Sequence, residues 1–328
     1  MSRTPLVRAT VLAAAGVLLA GACGTTEEAT TNTSAETSGE KITVTDSRGK
    51  KVTLDEPADN VVGLEWGEVE MLTTLGVEPV GVADTKGYET WVAAEPLSED
   101  VTDVGTRGEP SVDAIVALQP DLVVMEAERG SALVKQIEKY VPVIVTEGSD
   151  ASRNLDRMRE DFTMIAEAVG KTDEADKVLE DLDTTLAEGR EQIAEAGAEG
   201  QKFAMADGWQ EGSNVSIRMF GEGALVSDLA EELGLVNAWT GKVDGTWGLG
   251  TTDVEGMTAL KDEKDLQFFY SASEDDVFAE GLEDNAIWEG LPFVEQGNLH
   301  KLTDGTWTFG GPASAEMFVD QVVEAYTS

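Results

Sequence analysis

Cysteine and histidine are nearly absent from this chain of 328 residues, which holds one of each. The single cysteine, Cys23, excludes an intramolecular disulfide, a thiolate metal site and a cysteine nucleophile in the globular part of the chain. Because His300 is the single histidine, a metal site built from several imidazoles is not expected. The fold must therefore depend on its core, and 41% apolar residues is ordinary for a soluble globular protein.

Positive charge is also scarce. The chain has 23 basic against 64 acidic residues, a formal net charge of −41, and a sequence pI near 4.1. Nucleic acids and anionic lipid surfaces are therefore poor partners. An anionic ligand would be repelled at long range, so such a ligand needs local positive charge inside a cleft.

Motifs for enzyme chemistry are missing. The sequence has no nucleophile elbow, no P-loop, no metal-ligand motif and no glycine-rich loop in a strand-to-helix context. Acidic pairs such as Asp275-Asp276 lie on solvated runs. We therefore predict that the protein is not an enzyme, and a hydrolase with two carboxylates is the weakly specified alternative.

The N-terminus predicts where the protein works. Arg3 and Arg8 precede an apolar run, 9–22, which is too short to span a bilayer and ends at Cys23. Residues 1–22 resemble a lipoprotein signal peptide, cut before Cys23 so that the thiol is lipidated. An ordinary secretory signal is the alternative. Residues 23–40 are then the lipidated cysteine and a disordered tether, since 24–40 contains no large apolar residue.

The first half of the globular part is predicted at 41–150 and begins with a hairpin at 41–54. Strands are predicted at 61–64, 80–83, 122–125 and 141–145, and helices at 68–75 and from Ser111 onward. Residues 151–170 are the predicted connection. There the apolar side chains Met158, Phe162 and Ile165 recur at helical spacing, and Gly170 ends the helix.

The second half, 171–328, repeats this order of elements. Helices are predicted at 173–196, 225–233 and 314–326, with another opened by residues 252–255, and strands at 203–206, 266–270 and 299–302. The predicted fold class is α/β: two α/β lobes with parallel-rich central sheets, joined by one long backbone helix, with a cleft between them. Ligands in such folds bind at the carboxyl ends of strands and between domains.

Residues 104–124, VGTRGEPSVDAIVALQPDLVV, form the most diagnostic segment. Ser111 can cap a helix that Pro120 ends, a buried strand follows, and Arg107 lies on the loop before the helix. This segment resembles one lobe of the binding proteins of bacterial ferric-siderophore and vitamin B12 importers. The resemblance covers 41–328, is to the periplasmic-type binding proteins with a single rigid connecting helix, and looks nearest to their ferric-siderophore branch.

The resemblance implies roles for a few residues. Asp113 and Glu255 fall where the family places one carboxylate in each lobe for docking onto arginines of the membrane permease. Asp113 is shorter than the usual Glu, so Glu109 is an alternative or helper in lobe one. A helix N-terminal acid stabilised by the macrodipole is the competing interpretation.

The resemblance also implies a ligand site. Arg107 aligns with a cleft arginine that approaches the oxygens around iron in hydroxamate-siderophore binders, and guanidinium stays charged at any ordinary pH. Arg218 is a second candidate, predicted on the loop before the lobe-two helix, with an ion-pair role as its competing interpretation. Four tryptophans predicted on loops after strands are expected to cover an organic ligand: Trp66, Trp209, Trp247 and Trp307. The other three, Trp91, Trp239 and Trp288, are predicted to be core residues.

The function implied is capture of an Fe(III)-siderophore complex in the interlobe cleft and delivery to an ABC permease dimer with its cytoplasmic ATPase. The siderophore holds the iron, so no cofactor and no protein metal site are expected. The protein is expected to be a monomer at the cell membrane, lipid-anchored on the extracytoplasmic face. Cobalamin or haem import on the same scaffold, or a surface receptor or sensor without transport, are the alternatives left open.

Overall fold

The computed structural model describes residues 41–328. The predicted signal peptide at 1–22 and the tether with Cys23 at 23–40 lie outside these residues. The strands are β1 (Ile42–Thr45), β2 (Lys51–Leu54), β3 (Val61–Gly63), β4 (Gly81–Val82), β5 (Thr102–Asp103), β6 (Leu122–Glu126), β7 (Val143–Thr146), β8 (Lys202–Glu211), β9 (Asn214–Phe220), β10 (Val236–Asn237), β11 (Leu249–Thr252), β12 (Gln267–Ser271) and β13 (Leu299–Lys301). The helices are α1 (Trp66–Thr74), α2 (Thr85–Trp91), α3 (Val112–Ala117), α4 (Ser131–Ile137), α5 (Asn154–Val169), α6 (Thr172–Glu195), α7 (Leu225–Glu232), α8 (Ala286–Glu289), α9 (Pro292–Glu295) and α10 (Pro312–Thr327).

The first lobe contains a parallel sheet in the order β5-β4-β3-β6-β7, preceded by the antiparallel hairpin β1–β2. Its central strands are buried on both faces, as uninterrupted apolar runs in a parallel sheet should be. Ser111 caps α3 by accepting a hydrogen bond from the Ala114 backbone at 3.2 Å, as predicted. Because all five strands run in one direction, their carboxyl ends and the loops that follow lie along one edge.

The second lobe contains a mixed sheet in the order β11-β9-β8-β12-β13, with β10 paired to the start of β8. Strands β8, β12 and β13 are parallel, whereas β9 is antiparallel to β8 and β11. The helix expected to open at 252–255 is a single 3₁₀ turn, Gly256–Leu260.

The hairpin β8–β9 corrects the predicted positions of two site candidates. Trp209 and Arg218 lie within these strands and not on loops. The turn is made at Gly212, whose φ of +64° suits glycine, and it pairs Glu211 with Asn214. In β9 the polar and apolar residues alternate, which is the period of a strand.

Helix α5 connects the lobes over the residues that the sequence predicted, and Gly170 ends it in the left-handed conformation. Its apolar face, with Met158, Phe162 and Ile165, is buried in the largest apolar cluster. That cluster also includes Leu72 of lobe one and Phe318 of lobe two, so the two lobes share part of one core. Such a shared core opposes large hinge motion between them.

A second junction joins α1 to α10. Glu70 is fully buried, and its Oε1 accepts hydrogen bonds from the backbone of Gly311 at 3.1 Å and of Ser314 at 2.8 Å. A carboxylate of lobe one thus satisfies the first turn of the last helix, where backbone donors otherwise lack partners. None of the helices between residues 41 and 328 is long and apolar enough to cross a bilayer.

Candidate functional site

A cavity of about 430 Å³ lies where the carboxyl ends of the two sheets face each other. Lobe one lines it from α1, the loop after β5 and the end of β6. Trp66, predicted on a loop, is the first residue of α1. Lobe two lines it from β8, β9 and the loop after β13, and α5 completes the wall. The site therefore occupies the position that the topology of such sheets favours for ligands.

Arg107 lies in this cavity between two indole rings. Its Cζ is 4.0 Å from the ring centroid of Trp66 and 5.5 Å from that of Trp307, and Nη2 forms an ion pair with Glu65. Only 27% of its side chain is exposed. Burial lowers the pKa of Arg107, although the negative charges of Glu126 and Glu68 oppose that shift. A desolvated cation over an indole face is worth about 2 kcal/mol, so this arginine is held in place before a ligand arrives.

Arg218 lines the same cavity from lobe two. Its Nε donates to Asp207 Oδ1 at 2.9 Å, and its Nη2 contacts the other carboxylate oxygen of Asp207. The guanidinium Cζ is 5.2 Å from the ring centroid of Phe309. Burial raises the pKa of Asp207 while the bonds to Arg218 act to lower it. Arg218 is thus both a cavity residue and the ion-pair partner that the competing interpretation described.

The aromatic wall includes three of the four predicted tryptophans, Trp66, Trp247 and Trp307. Trp307 is its centre, because its ring centroid is 5.2 Å from that of Trp66, 6.2 Å from that of Trp91 and 5.2 Å from that of Phe309. The indole nitrogen of Trp307 is buried without a hydrogen-bond partner among residues 41–328. It is a buried donor of a cavity residue that lacks an acceptor among the described residues.

The structure places two other tryptophans differently from the prediction. Trp209 is 41% exposed on β8 and does not line the cavity, because it lies near the outer end of the hairpin. Trp91, predicted as a core residue, ends α2 and lines the cavity. Nothing in its local sequence separates a cleft tryptophan from a core one. Trp239 and Trp288 are buried in lobe two, as predicted.

Sequence reasoning missed a set of buried carboxylates on the same wall. Glu68 on α1 accepts a hydrogen bond from the hydroxyl of Thr146, and Asp161 on α5 pairs with Arg157 at 2.6 Å. Glu126 ends β6 and is 3% exposed. Burial raises the pKa of Glu68 and of Glu126, and their mutual repulsion raises the pKa of Glu126 further. A charged residue at the end of a buried apolar strand was the signal available in the sequence.

The lobes also touch across the cavity. The indole nitrogen of Trp247 donates to Glu128 Oε1 at 3.1 Å, and the hydroxyl of Ser149 donates to the carbonyl of Thr246 at 2.7 Å. These bonds connect loops after β6 and β7 with the loop before β11. These two hydrogen bonds therefore bridge the lobes beside the cavity.

The remaining candidates lie outside the cavity. Asp113 is exposed in the first turn of α3, Glu109 is exposed on the preceding loop, and Glu255 is exposed directly before the 3₁₀ turn of lobe two. His300 on β13 lies 2.6 Å from Gln267 through Nε2 and stacks on Phe269. Within residues 41–328, no group of three or more potential ligands is arranged to hold a metal ion.

Two α/β lobes, the 16-residue connecting helix α5 and an aromatic cavity between the lobes define a two-lobed ligand-binding protein. The chain belongs to the periplasmic binding protein family, which it matches over residues 61–305.

Similar proteins are known in bacteria. The chain is 28% identical to the iron(3+)-hydroxamate-binding protein FhuD of Escherichia coli, covering 80% of this chain and 84% of that protein. It is also 28% identical to the Fe(3+)-citrate-binding protein YfmC of Bacillus subtilis, covering 94% and 92%. Among solved structures, the Fe3+-Desferal-bound siderophore-binding protein FhuD of Vibrio cholerae has a TM-score of 0.70 at 22% identity, covering 82% of this chain and 98% of that one. This likeness confirms the predicted two-lobed α/β fold.

Proposed function

We propose that this protein captures an Fe(III)-siderophore complex in the interlobe cavity and delivers it to an ABC permease for iron uptake. The observation that carries the proposal is Arg107, held over Trp66 at the centre of an aromatic cavity in a chain whose relatives include ferric-hydroxamate and ferric-citrate binders. Siderophore oxygens already fill the coordination shell of iron. The protein then has only to grip the outer surface of the complex, with guanidinium and indole donors for its oxygens.

The position of the tryptophans supports a direct test. Four of the seven tryptophans line the cavity, so a bound ferric complex should quench much of the protein's fluorescence. We expect saturable quenching by at least one member of a panel of ferric hydroxamate, citrate-type, mixed and catecholate complexes. Cobalamin and haem belong in the same panel as competing ligands. No quenching by any ferric complex would overturn the proposal in favour of a receptor or sensor.

Arg107→Ala should weaken binding of the ferric complex at least about tenfold, because it removes the central cation and its contacts with two indole rings. The matched control is Arg159→Ala, which removes an arginine bonded to Asp183 on α6, outside this cavity. Titration by tryptophan fluorescence and a circular dichroism spectrum check binding and fold. Unchanged titration curves for Arg107→Ala would count against its role.

Two further parts belong to the proposal. A lipid on Cys23 would hold the protein on the extracytoplasmic face of the cell membrane, as the name of one relative, the putative ABC transporter substrate-binding lipoprotein YhfQ of Bacillus subtilis, suggests by analogy. Asp113, or Glu109, and Glu255 would dock onto the permease, for which their exposure on separate lobes is suitable. Because the lobes share a core, release is proposed to come from permease contacts that pull on both lobes.

A further inference from the structure

Three carboxylates among the described residues of the cavity form no ion pair. Within residues 41–328, Glu68, Glu126 and Glu128 line the cavity and form no ion pair. The cavity arginines are already engaged, Arg107 with Glu65 and Arg218 with Asp207. The cavity therefore offers carboxyl groups that no ion pair engages, beside two guanidinium groups that are already paired.

Glu126 has the least satisfied side chain of the three. Glu68 accepts a hydrogen bond from Thr146, and Glu128 accepts one from Trp247. Glu126 Oε1, in contrast, is buried with no hydrogen-bond partner in the described part of the chain. Gly148 leaves room for this oxygen, because a Cβ at that position would lie only 2.2 Å from it. An unpartnered buried acceptor is costly and marks a position where a donor is missing.

We propose that Glu126, supported by Glu68, forms a subsite for a protonated amine or guanidinium group of the ligand. This inference rests on the proposed function and adds that the ferric complex carried here bears a cationic group. A cationic donor supplies both the hydrogen bond and the positive charge that Glu126 lacks. An organic cation fits better than a metal ion, since no three potential ligands within residues 41–328 are arranged to hold a metal ion.

The electrostatics of the site support this assignment. Burial and the nearby charges of Glu68 and Glu128 raise the pKa of Glu126, and the charge of Arg107 lowers it by less than these effects raise it. On this wall the negative charges of a ferric complex would meet Glu68, Glu126 and Glu128, although Arg107 and Arg218 line the same cavity. The same wall that receives a cation therefore selects against strongly anionic complexes.

Fe3+-Desferal and its N-acetyl derivative test the subsite directly. The first carries a terminal ammonium group, and acetylation removes that charge without changing the iron centre. Both complexes are titrated into the purified protein and followed by tryptophan fluorescence. We expect acetylation to weaken binding about tenfold or more. Glu126→Gln should weaken Fe3+-Desferal binding by a similar factor and bind the two complexes equally.

The control variant is Glu89→Gln, an exposed glutamate on α2, which should still discriminate between the complexes. Equal affinity of the unmodified protein for both complexes, binding of anionic ferric complexes only, or undiminished discrimination in Glu126→Gln would overturn the subsite and leave the proposed function intact. If Glu126→Gln does not fold, the comparison of the two complexes on the unmodified protein decides. Quenching by no ferric complex overturns the proposed function itself.

Discussion

At the carboxyl end of β6, Glu126 follows four buried apolar residues, Leu122 to Met125, and extends a charged side chain into the wall of the cavity. Its backbone position was predictable from the apolar run before it. The absence of a hydrogen-bond partner for Glu126 Oε1 was not predictable. The residues around it, Glu68, Gly148 and Asp161, lie on other elements of the chain. Arg107 shows the same division: its loop was recognisable in the sequence, whereas its position over Trp66 depends on how α1 packs.

Glu126→Gln should stabilise the ligand-free protein, and more so at high pH. The raised pKa of Glu126, above its ordinary 4.5, means that the folded state holds the proton more tightly than the unfolded state. The associated stability is complete below about pH 4.5 and is lost as the pH rises through the folded pKa. Glutamine has the shape of protonated glutamate and carries no charge. The variant should therefore gain free energy of unfolding over the wild type at both pH values, and the gain should be larger at about pH 8 than at about pH 5 by at least about 1 kcal/mol.

Denaturant unfolding at the two pH values measures this difference, with Glu89→Gln as the exposed control. A gain that is equal at both pH values would show that Glu126 is not held with a raised pKa. The same substitution is expected to weaken ligand binding. The wild-type glutamate would therefore lower the stability of the folded protein while it strengthens the binding of the ligand.

At the scale of elements, the amphipathic helix α5 and its glycine stop were correctly bounded, since both signals are local. The hairpin β8–β9 was only partly recognised. Residues 214–220 show the alternating pattern of a strand, but the sequence prediction placed Arg218 and Trp209 on loops. Glu70, which caps α10 from α1, could not be found at all because its partners lie 241 and 244 residues away.

The close packing of lobe two against the start of the connecting segment, at Ala151, is predicted to depend on Gly223. Its φ is +81°, and a Cβ there would lie 1.9 Å from the carbonyl oxygen of Ala151. Gly223→Ala should lower the free energy of unfolding by about 2 kcal/mol or more, through backbone strain and a steric clash. Thermal and denaturant unfolding measure the loss.

Gly212→Ala is the matched control, because Gly212 has a φ of +64° but no atom within 4 Å of its hypothetical Cβ. Gly212→Ala should lower the free energy of unfolding by only about 1 kcal/mol, which is the cost of a left-handed backbone conformation for alanine. Equal losses for the two variants would mean that the contact with Ala151 contributes nothing.

At the scale of the whole molecule, charge and shape act on different partners. The chain has 64 acidic and 23 basic residues. Within its cavity, Arg107 and Arg218 are held by aromatic rings and carboxylates. The core shared between the lobes keeps that cavity open and preformed, which reduces the ordering cost of binding.

Replacing both exposed docking candidates, Asp113→Ala with Glu255→Ala, should leave affinity for the ferric complex unchanged and abolish iron uptake. The reason is that both side chains lie outside the cavity, one on each lobe. Uptake of the labelled ferric complex by cells that depend on this protein measures the effect. Glu109→Ala combined with Glu255→Ala distinguishes which lobe-one carboxylate docks, and normal uptake in both double variants would remove the assignment.

Salt should stabilise the protein because a net charge of −41 is self-repulsive and mobile ions screen it. Raising sodium chloride from about 0.05 M to about 1 M is expected to raise Tm by roughly 3–6 °C, on the order of 1–2 kcal/mol. Potassium chloride should give the same curve, since screening depends on ionic strength. A flat or falling Tm would contradict an electrostatic cost of the acidic surface.

The sequence by itself determined the buried central strands of both lobes, the connecting helix, the loop that carries Arg107 and the scarcity of cysteine and histidine. These depend on periodicity, capping and composition, which are local properties of the chain. Only the tertiary structure decided which tryptophans meet, that both arginines are already paired, and that Glu126 lacks a partner. Those features depend on distances between residues far apart in sequence, which are fixed only when the two sheets face each other across α5.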